Sequence, residues 1–273
     1  MRWILAALLA LAAHAQNAVV VGYDGLGSVW LKEAKAPVIH GVRARGAWTY
    51  HARAVMPSSS SPNWASMIMG ATPSQHGVTS NDWMPGTGPF FPTIFGVLRK
   101  QEPAADIAIF HEWEGFARLA EPGAANRVEQ PGKRDADDTV RRALAYLAGH
   151  KPRLTFVHLD LIDHAGHKSG YGSPEYFAAI EKADALTGRI LAAVPSGTLV
   201  LLCADHGGSG NKHGGATVTE IQIPWILAGP GVAKTELRTP VNIYDTAPTL
   251  AHALGVKPPA AWTGKVVLEA FGR

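Results

Sequence analysis

The chain alternates short, wholly apolar runs with longer stretches in which apolar residues recur at helical spacing. Ala18-Val19-Val20-Val21-Gly22 is continuous, apolar and β-branched, the pattern of a parallel strand buried on both faces. Similar runs lie at 107–110, 154–157, 199–203 and 224–227. Between them the period changes. Residues 135–147 place Val140, Ala143, Leu144 and Leu147 on one helical stripe. The stretch 173–194 begins with Ser173-Pro174, an N-cap followed by a proline at the first helical position. Residues 245–254 form a third helical stretch, followed by Gly255, the residue type that best ends a helix in the left-handed conformation. Strands alternating with helices predict βαβ units. The expected fold is α/β, a three-layer αβα sandwich around a mostly parallel sheet.

The first residues break this pattern. Arg2 precedes an apolar stretch from Trp3 to Ala13, too short to span a bilayer, and Ala13-His14-Ala15 has the small-x-small form of a signal-peptidase site. The expectation is a secretory signal peptide over 1–15, export to a periplasm or the medium, no membrane anchor after cleavage, and a single catalytic domain over 16–273. Residues 16–273 show no internal repeat and no linker, and the Gly- and Pro-rich residues 85–92 read as a surface loop. The net charge of +3 is spread without a basic stripe, so no nucleic-acid partner is expected. The lone cysteine, Cys203, lies in an apolar run and reads as core. Oligomeric state is not encoded in any of these features.

Three of the predicted strands end in ligand-type residues, and in a parallel sheet ligands gather at the carboxyl ends of strands. Asp24 follows the first strand. His158, Asp160, Asp163, His164 and His167 follow the strand at 154–157. Asp205, His206 and then His213 follow the strand at 199–203. Each alone reads as a turn or surface residue. Together they deliver more acid to one crevice than a fold tolerates without cations, and mixed carboxylate and imidazole donors suit zinc or manganese. A fourth segment, Met56-Pro57-Ser58-Ser59-Ser60-Ser61-Pro62-Asn63-Trp64, contains a serine run. Pro62 at a first helical turn would put Ser60 or Ser61 at the N-cap, facing free N–H groups that suit a phosphate and an alkoxide.

These segments, in this order, resemble the alkaline phosphatase superfamily, in particular its type I phosphodiesterase/nucleotide pyrophosphatase branch. Asp24 matches the first metal aspartate. Ser60, two residues before Pro62-Asn63, matches the nucleophile. Gly70-Ala71-Thr72-Pro73-Ser74-Gln75-His76-Gly77 resembles a Gly-x-x-Pro-x-x-His-Gly stretch. Asp163 and His167, Asp205-His206-Gly207, and His213 match the later metal elements, and 244–250 a structural helix start. The resemblance implies an alkaline-phosphatase-like fold and a phosphoester hydrolase with two divalent cations. Asp24, Asp205, His206 and exchangeable Ser60 would hold one cation, and Asp163, His167 and His213 the other. It also implies a phospho-Ser60 intermediate, with Asn63 donating to a phosphoryl oxygen.

The implied substrate is a small phosphoester. Phosphodiesters lead, with phosphomonoesters and phosphonates as alternatives. Ser61 stands where nucleotide-cleaving members carry an aromatic residue, and Trp64 stands where sulfatases carry arginine, which lowers nucleotides and demotes sulfate esters. A non-catalytic metal-binding relative is the remaining alternative. His76 reads as a structural turn residue, and Lys168 and Lys212 as surface lysines. Trp83, Phe90 and Phe91 are candidates either for stacking on an organic group or for core packing.

Overall fold

The computed structural model describes residues 14–273, so most of the expected leader lies outside the described residues. Eight strands form one sheet: β1 (Ala18–Tyr23), β2 (Ala47–Arg53), β3 (Ile107–His111), β4 (Arg127–Glu129), β5 (Leu154–Leu159), β6 (Leu199–Ala204), β7 (Gln222–Ala228) and β8 (Thr235–Glu236). Their order is β4-β3-β5-β1-β6-β7-β2-β8. All neighbours pair in parallel except β7, which runs antiparallel to β6 and to β2. The expected mostly parallel sheet is therefore observed.

Among the described residues, ten α-helices complete the fold: α1 (Ser28–Glu33), α2 (Pro37–Ala44), α3 (Ser60–Met69), α4 (Pro73–His76), α5 (Ile94–Gln101), α6 (Ala136–Gly149), α7 (Leu161–Ser169), α8 (Pro174–Ala193), α9 (Val218–Ile221) and α10 (Thr246–Leu254). α8 packs on α2, α6 and α7, whereas α10 packs on α3 and α5. These two sets make the layers flanking the sheet. The expected caps are present. Ser173 accepts from Tyr176 N–H at the start of α8, and Gly255 ends α10 at φ +74°.

The five strands read from continuous apolar runs are all present, with β1, β5 and β6 buried at every position. These three central strands put Asp24, Asp160 and Asp205 at their carboxyl ends. The unanticipated strands have physical reasons for being silent. β2 reads Ala-Trp-Thr-Tyr-His-Ala-Arg and exposes His51 and Arg53. β4 is a short edge strand, and β8 has two residues.

One close approach fixes α3 on the sheet. A Cβ added to Gly22 in β1 would lie 2.6 Å from the ring of Trp64 in α3. Trp64 is fully buried, so its ring has no free space to move into. Gly22→Ala is expected to destabilise the fold by about 1–3 kcal/mol, the usual range for overpacking. Denaturant unfolding measures this, and an unchanged midpoint would contradict the packing described.

Candidate metal centre and nucleophile

The serine run is a shaped turn. The Asn63 side chain donates to the carbonyls of Ser59 (2.9 Å), Pro57 (3.1 Å) and Val55 (3.3 Å) and accepts from Val55 N–H at 2.7 Å. Ser58 Oγ donates to Gly215 O at 2.6 Å and accepts from Gly214 N–H at 3.0 Å. The loop before α3 is thereby tied down on both sides. Ser59 is the residue before the helix and Ser60 its first residue, so Pro62 sits at the third helical position. This corrects the expected placement of Ser60 or Ser61 at the N-cap, whereas Pro62 lies in the first turn as expected. A proline without an N–H is tolerated anywhere in the first turn, where N–H groups have no helical partner.

Asn63 is a second correction. Its amide is fully buried and spent on the loop backbone, so it holds the turn before α3 where a donor to a phosphoryl oxygen was expected. The side chain beside Ser61 is Asn81, whose Oδ1 accepts from Ser61 N–H at 2.8 Å. Nothing local in the sequence marks Asn81, because its approach depends on how the loop after α4 folds back.

Around Ser60 the sequence-derived residues come together. Asp24, Asp205 and His206 form one group of mutually close ligand atoms, and Asp163, His167 and His213 form another. Ser60 Oγ lies 3.3 Å from Asp24 Oδ1 and 3.2 Å from His206 Nε2. The two groups adjoin, since the rings of His206 and His213 stack with centroids 3.9 Å apart. Each ligand-type imidazole is oriented by a backbone carbonyl that can only accept. Nδ1 donates to Asn211 O from His167 (2.9 Å), to Gly207 O from His206 (2.8 Å) and to Ser58 O from His213 (3.0 Å). Those bonds orient each ring with Nε2 toward the site and, in the neutral imidazole, leave its Nε2 lone pair for a ligand, the arrangement that outer-shell partners give metal ligands.

The carboxylates are held in the same manner. Asp24 Oδ2 accepts from Trp64 Nε1 at 3.0 Å and lies 3.1 Å from His158 Nε2, which leaves Oδ1 toward Ser60. Asp205 Oδ1 accepts from Gly25 N–H at 3.0 Å and His206 N–H at 2.8 Å. Its Oδ2 is buried with no hydrogen-bond partner. Asp163 accepts from the Tyr171 hydroxyl and stands 3.2 Å from His167 Nε2. Asp160 also approaches Asp24 and Asp163, but Arg134 pairs with it at 3.2 Å. Trp64 and Tyr171 are partners that sequence reasoning did not foresee. An indole N–H or a phenol reaches a carboxylate only through tertiary packing, here of α3 on β1 and of Tyr171 against Gly166 and Gly208.

The electrostatics follow from burial. Burial and the neighbouring Asp163 push the Asp24 carboxyl up to about 7, and burial and the charge of Asp24 raise Asp205. Burial lowers His206 to about 3 and His158 to about 4. The hydrogen bond that the His167 ring donates to Asp163 raises His167 to about 9. Excess buried acid beside the neutral imidazoles of His158 and His206, together with the orphaned Asp205 oxygen, is a donor set that fits divalent cations. Mixed oxygen and nitrogen donors fit zinc or manganese better than an all-oxygen ion.

The flanking residues divide clearly. His158 supports Asp24, while His164, Lys168 and Lys212 are exposed and outside both groups. His76 lies 3.0 Å from Ser66 Oγ and accepts from Val78 N–H at 3.1 Å. Trp83, Phe90 and Phe91 are half-buried and line a cavity of about 410 Å³.

Comparison with known proteins places this geometry. A 2,3-bisphosphoglycerate-independent phosphoglycerate mutase of Syntrophotalea carbinolica is 35% identical over 124 residues, 42% of this chain and 23% of the relative. A phosphopentomutase of Methylobacterium radiotolerans is 36% identical over 116 residues, 41% of this chain and 26% of the relative. The chain thus spans about a quarter of the length of these curated relatives. Among solved structures, murine ectonucleotide pyrophosphatase/phosphodiesterase 5 superposes with a TM-score of 0.75 at 14% identity, over 89% of this chain and 96% of that one. The phosphonate monoester hydrolase of Agrobacterium radiobacter gives 0.77 at 14% identity, over 94% of this chain and 77% of that one. These superpositions establish an alkaline-phosphatase-like fold. The model of the type I phosphodiesterase/nucleotide pyrophosphatase family matches residues 18–222, which run from β1 through the last candidate ligand, and the chain belongs to that family.

Proposed function

We propose that the chain is a phosphoester hydrolase, acting first on phosphodiesters, with Ser60 as nucleophile and a divalent cation, zinc or manganese, at each of the two ligand groups. The observation that carries this reading is the Ser60 hydroxyl, 3.3 Å from Asp24 and 3.2 Å from His206 at the first turn of α3. Bound cations in such a site supply Lewis-acid stabilisation of negative charge on oxygen.

The protein groups do the positioning. The loop held by Asn63 and Ser58 aims Ser60 Oγ at phosphorus. The Ser60 N–H and the side-chain amide N–H groups of Asn81 receive the equatorial phosphoryl oxygens, since Ser61 N–H is bonded to Asn81 Oδ1 and Asn63 N–H to Ser59 O. Ser60 Oγ forms a bond to phosphorus, the leaving alcohol departs from the opposite side, and water then cleaves the Ser60–phosphorus ester. Trp64 and His158 keep Asp24 Oδ2 occupied, so Oδ1 stays turned to the nucleophile. Trp64 is also committed to the sheet at Gly22, which leaves no sulfatase-type arginine at this position.

The similarity to phosphomutases favours a second reading. A mutase passes the same phosphoserine to a substrate hydroxyl in place of water. A substrate panel on zinc-loaded and manganese-loaded protein separates these outcomes. It should contain aryl phosphodiesters, phosphomonoesters, nucleotides, phosphonates and sulfates, with metal content and products measured together. Phosphodiester hydrolysis is expected to exceed sulfate hydrolysis by at least a hundredfold. Dominant sulfate hydrolysis would sink the reading, and phosphoryl transfer to an added alcohol without net hydrolysis would favour the mutase. No helix among the described residues is long and apolar enough to cross a membrane. Export by the leader over 1–15 remains part of the proposal, and the mass of the mature N-terminus tests it.

A further inference from the structure

α7 supplies both Asp163 and His167, four residues apart and so on one helical face. Its start has no cap of its own. Asp160, the residue before it, is in the right-handed helical conformation and makes no side-chain cap bond. Its carboxylate pairs with Arg134 instead. The cap comes from another strand. Glu112 follows β3 directly, and β3 pairs in parallel with β5, the strand that leads into α7. Glu112 N–H donates to His158 O at 3.2 Å. Its Oε2 accepts from Asp160 N–H at 2.6 Å and from Leu161 N–H at 3.1 Å. Those N–H groups have no partner within the helix, and an acidic acceptor at that end gains from the helix dipole. Glu112 is 4% exposed. No salt bridge reaches it among the described residues, since Arg134 pairs with Glu114 and Asp160. A buried carboxylate without a cationic partner is costly, and the two N–H bonds offset that cost only while α7 starts where it does.

Asp163 lies in the first turn of α7, three residues beyond Asp160, so its carboxylate moves with the capped end. The turn after β1 packs against the same residue: a Cβ added to Gly25 would lie 2.8 Å from Asp163 Cα. α7 is thus seated on Gly25 and pinned at its start by Glu112. The other ligand group does not depend on α7, because Asp24 follows β1 and Asp205 and His206 follow β6. We propose that Glu112 is a positioning residue for the Asp163, His167 and His213 group, holding the helix that carries two of its three ligands; the proposal rests on the metal-binding reading above.

The test is zinc titration of metal-free protein, with bound ions counted by native mass spectrometry. Wild type is expected to bind two ions. Glu112→Ala should keep wild-type affinity at Asp24, Asp205 and His206 and weaken the other group roughly 10–100-fold, the loss typical of a ligand's supporting partner. Repeating the titration in an Asp205→Asn background reads the Asp163 group alone. Glu112→Asp keeps the charge but is one methylene short, so it should fail as alanine does. Glu112→Gln keeps an oxygen at the same reach, and Oε1 makes no hydrogen bond among the described residues, so its affinity should stay within about threefold of wild type. In metal-free Glu112→Ala the amides of Asp160 and Leu161 should exchange on the order of fivefold faster, the effect of a lost cap. The Asp and Gln variants carry the same comparison if alanine prevents folding. Unchanged zinc affinity in both Glu112→Ala and Glu112→Asp, equal loss at both metal groups, or a glutamine variant as weak as the aspartate one would overturn this proposal alone. A wild-type protein that binds no zinc would overturn the metal-binding reading and this proposal with it.

Discussion

Ser60→Ala is expected to lower kcat for an aryl phosphodiester on the order of 10⁴-fold while leaving the fold intact, as expected when a nucleophile is lost. Ser58 is not free to replace it. Ser58 Oγ is bonded to Gly215 O and Gly214 N–H, and Ser59 stands before the helix, outside its first turn. Direct attack by water, without an ester on Ser60, remains. Stability should be spared because alanine suits the first helical position and the loop is held by Asn63. Kinetics, metal content and thermal midpoint measured on one preparation check this. A variant with full metal content and near-wild-type kcat would show that Ser60 is not the nucleophile.

The second large effect concerns the cations. Treatment with a chelator should abolish turnover, and zinc or manganese should restore it. Asp205→Asn isolates one of the two sites. An asparagine carbonyl can keep the bonds from Gly25 and His206 N–H, but its amide nitrogen then replaces the orphaned Oδ2 with a donor that repels a cation. Metal content should fall from two ions per chain to one, and affinity at that site by more than the roughly 100-fold that loss of an outer-shell partner costs. The Asp163, His167 and His213 group should keep its ion. Full occupancy with wild-type affinity would remove Asp205 from the ligand set. Measuring metal by mass spectrometry alongside activity keeps a folding defect apart from a ligand defect.

The parts of this protein that were legible in its sequence are those in which one residue type has one physical use. Continuous β-branched runs have little use except as central strands, and β1, β5 and β6 lie at those runs. Aspartate at three strand ends has a clear reason to converge, because the sheet itself is parallel. Less legible were residues whose partners are set by packing. Asn63 follows the nucleophile closely enough to face the substrate, yet the loop from Val55 to Ser59 needs an amide with both donors and an acceptor, and Asn63 meets that need. Trp64 read as the loss of an arginine, but its N–H braces Asp24. Asn81 gave no signal because only the return of its loop brings it to Ser61. The short strands β4 and β8 lie at the edges of the sheet, where polar residues pair without an apolar signature.

The central claim is that Ser60 carries the substrate's phosphoryl group. The direct measurement is an acid quench of the metal-loaded enzyme during turnover of a 4-nitrophenyl alkyl phosphodiester, followed by peptide mass spectrometry. The account predicts an alkyl-phosphoryl ester on Ser60, absent from Ser60→Ala and discharged when turnover is allowed to finish. A burst of nitrophenol with the adduct on another residue, or steady turnover in Ser60→Ala with no adduct in either protein, would contradict it.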